Sequence, residues 1–350
     1  MGDSKEIAAP VGRPDGRPTA TFILFAYNQE HFIREAVQGA FAQTYEPLEI
    51  VLSDDCSTDQ TFEIMAEMAS TYSGPHRVRV VRTPKNLGLL GHVLTRGREA
   101  VGDVVVVAAG DDISEPHRTS RIVDAFATNS RLGAVGSWVS DIDEDGSVLN
   151  PERRLNLVRD TIIPRDDIRL NLAVLGCSAA YRRWVFDVPV SSVDRHYGED
   201  LLLSFYANLV GAEIESIASS LVRYRKHPGA LSNLVDTQMV DVEDYIRRAA
   251  VGRIEFLDEC EKIAIAVGKT DLLDMREIAR ARAFASDALA WPELKFGQRL
   301  SRTVRADYTG VIGPNLRQLL WRVVRLWGRY PRYQPKLLIS RIRAGIQNNT

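Results

Sequence analysis

From Thr21 onward the chain alternates between short apolar runs and amphipathic stretches. Thr21–Tyr27 (TFILFAY) is apolar and β-favouring, which predicts a buried strand. Phe32, Ile33, Ala36, Val37, Ala40 and Phe41 recur at helical spacing and predict an amphipathic helix with a wide apolar face. Glu49–Asp55 (EIVLSDD) is a second strand. Ser57 to Asp59 offer caps for a second helix carrying Phe62, Met65, Ala69 and Tyr72 on one side. Val78–Thr83 is a third strand and Leu89–Ala100 a third helix. Asp103–Ala109 (DVVVVAA) is apolar throughout, as a strand covered on both faces must be, and Ile122, Val123 and Phe126 mark a fourth helix. Four β-α units within about 110 residues predict an α/β chain with a Rossmann-like, mostly parallel, doubly wound sheet. Ligands of such sheets sit beyond the carboxyl ends of the strands.

After Gly133 the rhythm changes. Ala134–Ser140 reads as a strand, Asp145-Gly146 as a hairpin turn, Asp166–Leu175 as a helix and Gly176–Tyr181 as a short extended segment. Glu199–Leu209 is helical again, Leu221–Arg225 is a last strand, and from about Val235 the pattern is helical only. The organisation expected is a disordered lead over 1–18, a catalytic domain over 19–233 and a helical, basic extension over 234–350. Within the catalytic domain, 19–130 form a nucleotide-binding half and 131–233 an acceptor half.

Composition narrows the class. The 350 residues are 45% hydrophobic and carry a net charge of −2, so no global field favours nucleic acid. The three cysteines, Cys56, Cys177 and Cys260, are far apart and form no CxxC pair; a reducing cytoplasm suits them better than a disulfide framework. No apolar run reaches the roughly 20 residues of a spanning helix. Lys295 to Arg343 holds twelve Lys/Arg against Asp307 alone, interleaved with Trp321, Trp327, Tyr330 and Tyr333. Such a segment suits a solvated helix face, or peripheral contact with the anionic inner face of a plasma membrane.

Acidic side chains gather where that topology places a ligand. Asp54-Asp55 ends the second strand, Asp111-Asp112 follows the fourth after Gly110, and Glu199-Asp200 opens a later helix. One such pair is as readily a cap or turn. Two pairs at strand ends of one sheet would repel unless a divalent cation or a ligand's donors relieved them. The first β-α turn, Tyr27-Asn28-Gln29-Glu30, has no glycine, which argues against a GxGxxG dinucleotide enzyme. It also lacks the glycine-rich basic loop of a nucleotidyltransferase. A phosphate would instead be neutralised by Mg2+ or Mn2+ on Asp111-Asp112.

Four segments then carry a resemblance. AYNQEHFIREAVQGAFAQTYEPLEIVLSDDCSTDQT, NLGLLGHVLTRGREAVGDVVVVAAGDDISEPHR, GEDLLLSFYANLVG and VRYRKHPGALS stand in the order found in family 2 inverting glycosyltransferases of GT-A fold, and the resemblance covers about Thr21 to Asn233. It implies that Ala26, Tyr27 and Asn28 line the nucleotide site, with Tyr27 alternatively a core residue. Asp54 and Asp55 would bind base and ribose, and Asn86 and Gly88 a turn beside the donor. Asp111 and Asp112 resemble the metal and ribose carboxylates. Ala109 stands where the family's Asp-x-Asp-Asp form begins, which leaves one oxygen ligand fewer. Asp200 matches the general base, with Glu199 its neighbour, and Arg225 and His227 the late residues that meet diphosphate or metal; His227 is alternatively plain surface. The implied reaction moves a sugar from a nucleoside-diphosphate sugar, UDP favoured, to a saccharide or lipid-linked hydroxyl in surface polysaccharide or glycolipid synthesis. A non-catalytic sugar-nucleotide-binding or scaffold protein of the same fold is the alternative.

Overall fold

The computed structural model describes residues 18–154, 170, 173–194, 197–230 and 242–290. The chain divides into compact units at Leu289/Ala290, and all that follows concerns the first. The expected lead over 1–18 lies, but for Pro18, outside the described residues, as does the basic aromatic segment Lys295–Arg343.

Among the described residues nine strands make one sheet. β1 (Ala20–Ala26), β2 (Leu48–Asp54), β3 (Arg77–Arg82) and β4 (Val104–Ala109) lie in the order β3-β2-β1-β4 and are all parallel. β1 and β2 are buried at every position, so Phe22–Ala26 and Ile50–Leu52 run apolar without alternating, while Thr21, Glu49, Ser53 and Asp54 are polar residues buried with them. β3 sits at the sheet edge, and its Arg-Val-Arg-Val pattern leaves it half-exposed. Helices α1 (Ile33–Phe41), α2 (Thr61–Ser70), α3 (Gly88–Glu99) and α4 (Arg118–Thr128) connect and flank these strands. Ile33, Val37, Ile122, Val123 and Phe126 bury one side of the sheet; Leu90, Val93 and Leu94 bury the other. The doubly wound, mostly parallel sheet read from the sequence is therefore present.

The second half is mixed. β6 (Leu132–Ile142) pairs in parallel with β9 (Glu213–Arg225) and antiparallel with β7 (Val148–Arg153) and β8 (Ala180–Arg182); β8 in turn joins β4. A two-residue β5 (Ile113–Ser114) pairs with β9 just after the second acidic pair. Gly146, at φ +83°, makes the β6–β7 turn that Asp145-Gly146 predicted. α5 spans Glu199–Leu209 as expected, followed by α6 (Val242–Ala266) and α7 (Met275–Ala290).

Three local expectations need correction. Gly176–Tyr181 is not extended throughout: Gly176–Ser178 is a 3-10 turn and only Ala180–Arg182 is strand. The last strand begins at Glu213, not Leu221. Of the caps expected over Ser57 to Asp59, Ser57 does not serve α2, since its hydroxyl accepts the Asn28 N–H at 2.9 Å; Asp59 Oδ1 takes the Thr61 N–H at 3.0 Å at the start of the helix. The predicted helix over Asp166–Leu175 lies largely outside the described residues. No described helix is long and apolar enough to cross a membrane.

Candidate functional site

Parallel pairing aligns the ends of β1, β2 and β4, and loops leaving β2 and β4 bond back to the end of β1. Asp55 N–H donates to the Ala26 carbonyl and Gly110 N–H to the Phe25 carbonyl, both at 2.9 Å. The sheet itself thus sets Asp54-Asp55 and Asp111-Asp112 on either side of one strand end, with Ala26 buried between them.

On the nucleotide side, the turns after β1 and β2 are stitched together by side chains. Asn28, at φ 51°, accepts the Thr58 N–H at 2.8 Å through Oδ1, and Thr61 Oγ1 accepts the Gln29 N–H at 2.7 Å. Asp54 is fully buried; its Oδ2 accepts the Ser57 N–H at 2.9 Å and lies 3.2 Å from Arg82 Nε. Its Oδ1 is buried with no partner among the described residues, which leaves one acceptor for a ligand donor. Asp55 Oδ1 takes the Thr83 hydroxyl and the Leu87 N–H at 3.0 and 2.9 Å, and so shapes the turn that carries Asn86 and Gly88. Asn86 Oδ1 accepts the Gly88 N–H. Tyr27 is 46% exposed at the mouth of this region, so its alternative reading as a core residue falls.

On the opposite side the two aspartates part company. Asp111 Oδ2 lies 3.1 Å from His227 Nε2, and His227 rests against the Phe32 ring at 4.6 Å. Asp112 is turned inward: Oδ1 accepts the Arg225 N–H at 2.8 Å, and the carboxyl also meets the Cys177 thiol. Burial, with the charge of Asp111 beside it, pushes Asp112 up to about 8. Arg118, fully buried, donates to Ser114 Oγ, the Val107 carbonyl and the Ala179 carbonyl at 2.9, 2.6 and 3.4 Å; its charge partly offsets that of Asp112. Asp112 Oδ1 thus faces a protein donor, whereas Asp111 Oδ2 faces His227.

Arg225 is likewise turned inward. It is 1% exposed, and its guanidinium donates to the carbonyls of Asp111, Asp143 and Glu144 and to Glu35 Oε2. With those donors engaged, it anchors Asp111 and Asp112 from behind.

Asp111 and His227 remain as a carboxylate–imidazole pair: the carboxylate oxygen suits Mg2+ or Mn2+, and the imidazole nitrogen suits a transition metal such as Mn2+ better than Mg2+. No group of three His, Cys, Asp or Glu side chains among the described residues is arranged to hold an ion. One or two carboxylates completed by phosphate oxygens are the arrangement Mg2+ commonly takes; Asp111 supplies one carboxylate, so the residues fit a cation that arrives with its donor.

The Gly176–Ser178 turn joins this side to the third acidic pair. Gly176 N–H donates to Asp200 Oδ2 at 3.2 Å, while the adjacent Cys177 meets Asp112. A Cβ on Gly176 would stand 2.6 Å from Glu199 Oε1, so only glycine lets the carboxylate approach this closely. Asp200 Oδ1 accepts the Leu201 N–H at 2.7 Å, and both acids lie in the first turn of α5, where the helix dipole favours negative charge. Burial and the neighbouring Asp200 push Glu199 up to about 8; burial raises Asp200 as well. A surface groove of about 480 Å3 beside α1 and β5, lined by Glu35, Ser114, Asp145 and Arg223, contains none of these acids.

The raised Glu199 has a consequence for stability. Its carboxyl titrates near 4.5 when unfolded and near 8 when folded, so between those values the native state holds the extra proton. The contribution is complete below about pH 4.5 and is lost as pH rises through about 8. Urea midpoints should decline from pH 5 to 8.5, and Glu199→Gln should reduce that slope while Asp112, also raised to about 8, sustains the remainder; an unchanged slope in the variant would assign the titration elsewhere.

The sequence did not single out Arg118, Cys177, Gly176, Arg82 or Glu35. Each acts through a partner distant in the chain, and none sits in a motif of its own.

The sequence profile of glycosyl transferase family 2 matches residues 21–188. An uncharacterised protein of Mycobacterium tuberculosis is 28% identical over 216 residues, covering 59% of this chain and 58% of its own length. The chain thus spans little more than half of that relative. The succinoglycan biosynthesis protein ExoO of Rhizobium meliloti is 32% identical over 126 residues, 36% of this chain and 33% of its own. Among solved structures, TarS residues 1–349 of S. aureus in complex with UDP-GlcNAc superposes with a TM-score of 0.53 at 17% identity, covering 83% of this chain and 77% of that one. At that identity the likeness establishes the GT-A fold.

Proposed function

Because residues 21–188 belong to glycosyl transferase family 2, we propose that this protein is an inverting glycosyltransferase that moves a sugar from a nucleoside-diphosphate sugar to an acceptor hydroxyl. The supporting observation is the Gly176–Ser178 turn, which touches Asp200 on one side and Asp112 on the other. That contact supports Asp200 as the base, one turn's span from the carboxylates beside which a diphosphate would lie.

Asp200 takes the proton of the attacking hydroxyl. Gly176 N–H and Leu201 N–H hold its two oxygens, and each oxygen keeps a second lone pair for the acceptor. Asp111 and His227 would hold Mg2+ or Mn2+, whose charge would neutralise the leaving diphosphate. Arg225 keeps both aspartates in place, its N–H on Asp112 Oδ1 and its Nε–H on the Asp111 carbonyl. Asp54 Oδ1 would accept a donor N–H of the base or a ribose hydroxyl, and exposed Tyr27 would flank the nucleotide. ExoO's part in succinoglycan biosynthesis supports a saccharide or lipid-linked acceptor in surface polysaccharide or glycolipid synthesis. The UDP-GlcNAc complex of TarS supports a UDP-sugar donor.

A thermal-shift titration tests the donor and the cation together. UDP-GlcNAc at about 100 times its Kd should stabilise the protein by about 2.7 kcal/mol in Mn2+, and much less in EDTA. Asp111→Asn should remove the Mn2+ dependence. GDP-mannose and other UDP-sugars serve as comparisons, and release of free nucleoside diphosphate reports turnover. Equal shifts with and without chelator would remove the cation from the scheme. Binding with no release for any donor and acceptor would leave the non-catalytic reading in its place.

A further inference from the structure

We infer that α6, which lies beyond the family-matched segment, is a positioning element for the catalytic base, with Glu259 as its key residue. The inference rests on the proposed role of Asp200 and extends it to residues with no place in the family resemblance.

Two segments flank the Glu199–Asp200 turn, and α6 grips both. Upstream, Glu259 clamps Ser191: Oε1 accepts the Ser191 N–H and Oε2 the Ser191 hydroxyl, each at 2.5 Å. Glu259 is 0% exposed, and a bidentate carboxylate on one serine fixes both position and orientation of that backbone. Lys262 Nζ adds a contact to the same hydroxyl at 3.3 Å. Nearer the acids, Tyr197 packs edge-on against Phe256 with ring centroids 5.7 Å apart, and Phe205 of α5 meets the same ring at 6.1 Å. On the other flank Arg253, whose guanidinium lies 5.4 Å over the Phe256 ring, donates to the Leu170 carbonyl at 3.1 Å. Leu170 leads toward Val174, whose N–H donates to Ser204 of α5, and then to Gly176, which holds Asp200.

Arg253, Phe256 and Glu259 are spaced i, i+3, i+6, so one face of one helix presents all three contacts. Loops ordinarily carry catalytic groups on a rigid scaffold. The segments on both flanks of Asp200 pack into the core beside β1 and β4, and α6 adds side-chain bonds that hold them from the other side. A buried carboxylate is a costly way merely to pack a helix, since an apolar residue would do so without desolvation. Its retention at Ser191 fits a need for a fixed loop geometry.

Glu259 touches no reacting atom, so its effect should fall on turnover and not on donor affinity. The full chain is assayed for nucleoside diphosphate released from UDP-GlcNAc, or from whichever sugar nucleotide turns over fastest, with water as acceptor. Glu259→Ala should lower kcat at least tenfold with the donor KM within twofold. Glu259→Gln should recover most of the rate, because its amide oxygen still accepts the Ser191 N–H and its NH2 can donate to the Ser191 hydroxyl. A kcat within twofold of wild type in a folded Glu259→Ala, or kcat and KM falling together without rescue by Gln, overturns the inference. Asp200→Asn run alongside separates the two readings: if it alone abolishes turnover, only the role of α6 is lost; if it leaves turnover intact, the base assignment itself is lost.

Discussion

Asp200→Asn is expected to lower sugar transfer by about 10²–10⁴-fold, the usual contribution of a positioned general base. Donor binding should stay within about twofold, since neither oxygen of Asp200 contacts the side of the site that carries Asp54 and Asp111. The amide is nearly isosteric and its oxygen can still accept the Gly176 or Leu201 N–H, but it cannot take a proton. The two effects are read separately: kcat by release of nucleoside diphosphate, and binding by thermal shift with the same sugar nucleotide. Parallel loss of both would make Asp200 a structural residue of the α5 turn.

The second large effect concerns stability. Arg118→Met should cost about 3–5 kcal/mol, because a buried guanidinium leaves its acceptors unpaired when removed. Ser114 Oγ and the carbonyls of Val107 and Ala179 would each lose a buried donor. Asp112 would lose the cation that partly offsets its charge, which drives it still further toward the protonated form. Methionine fills comparable volume beside Phe22, so a cavity does not confound the result. Urea unfolding with an unchanged m-value gives the difference directly. A loss below about 1 kcal/mol would mean that water replaces those bonds, against the complete burial of the side chain.

Much of the parallel half was legible along the chain. TFILFAY, EIVLSDD and DVVVVAA hold strands covered on both faces, so their apolar residues run consecutively instead of alternating, with the polar positions Thr21, Glu49, Ser53 and Asp54 buried as well. The helix opening at Glu199 was legible to the residue, since two acids followed by an apolar periodic run are favoured by the helix dipole. The mixed half was less so. β5 is two residues long, β7 is almost wholly exposed, and Gly176–Ser178 is a turn of small residues; none of them carries a period long enough to register. β9 bears Ser216, Ser219 and Ser220 near its middle, which hid its first half.

Residue type and order alone were enough to place three acidic pairs at the ends of strands or helices, because strand direction and side-chain chemistry are local properties. What each acid does there was decided by tertiary structure. Asp111 and Asp112 are neighbours of identical chemistry, yet one faces His227 and the other the Arg225 amide and Cys177. Arg225 turns its donors to Glu35 and three carbonyls, all distant from it in the chain. A carboxylate's pKa, a guanidinium's availability and a loop's rigidity all depend on which distant groups exclude water from it, and that exclusion exists only once β4, β9 and α6 have been brought together.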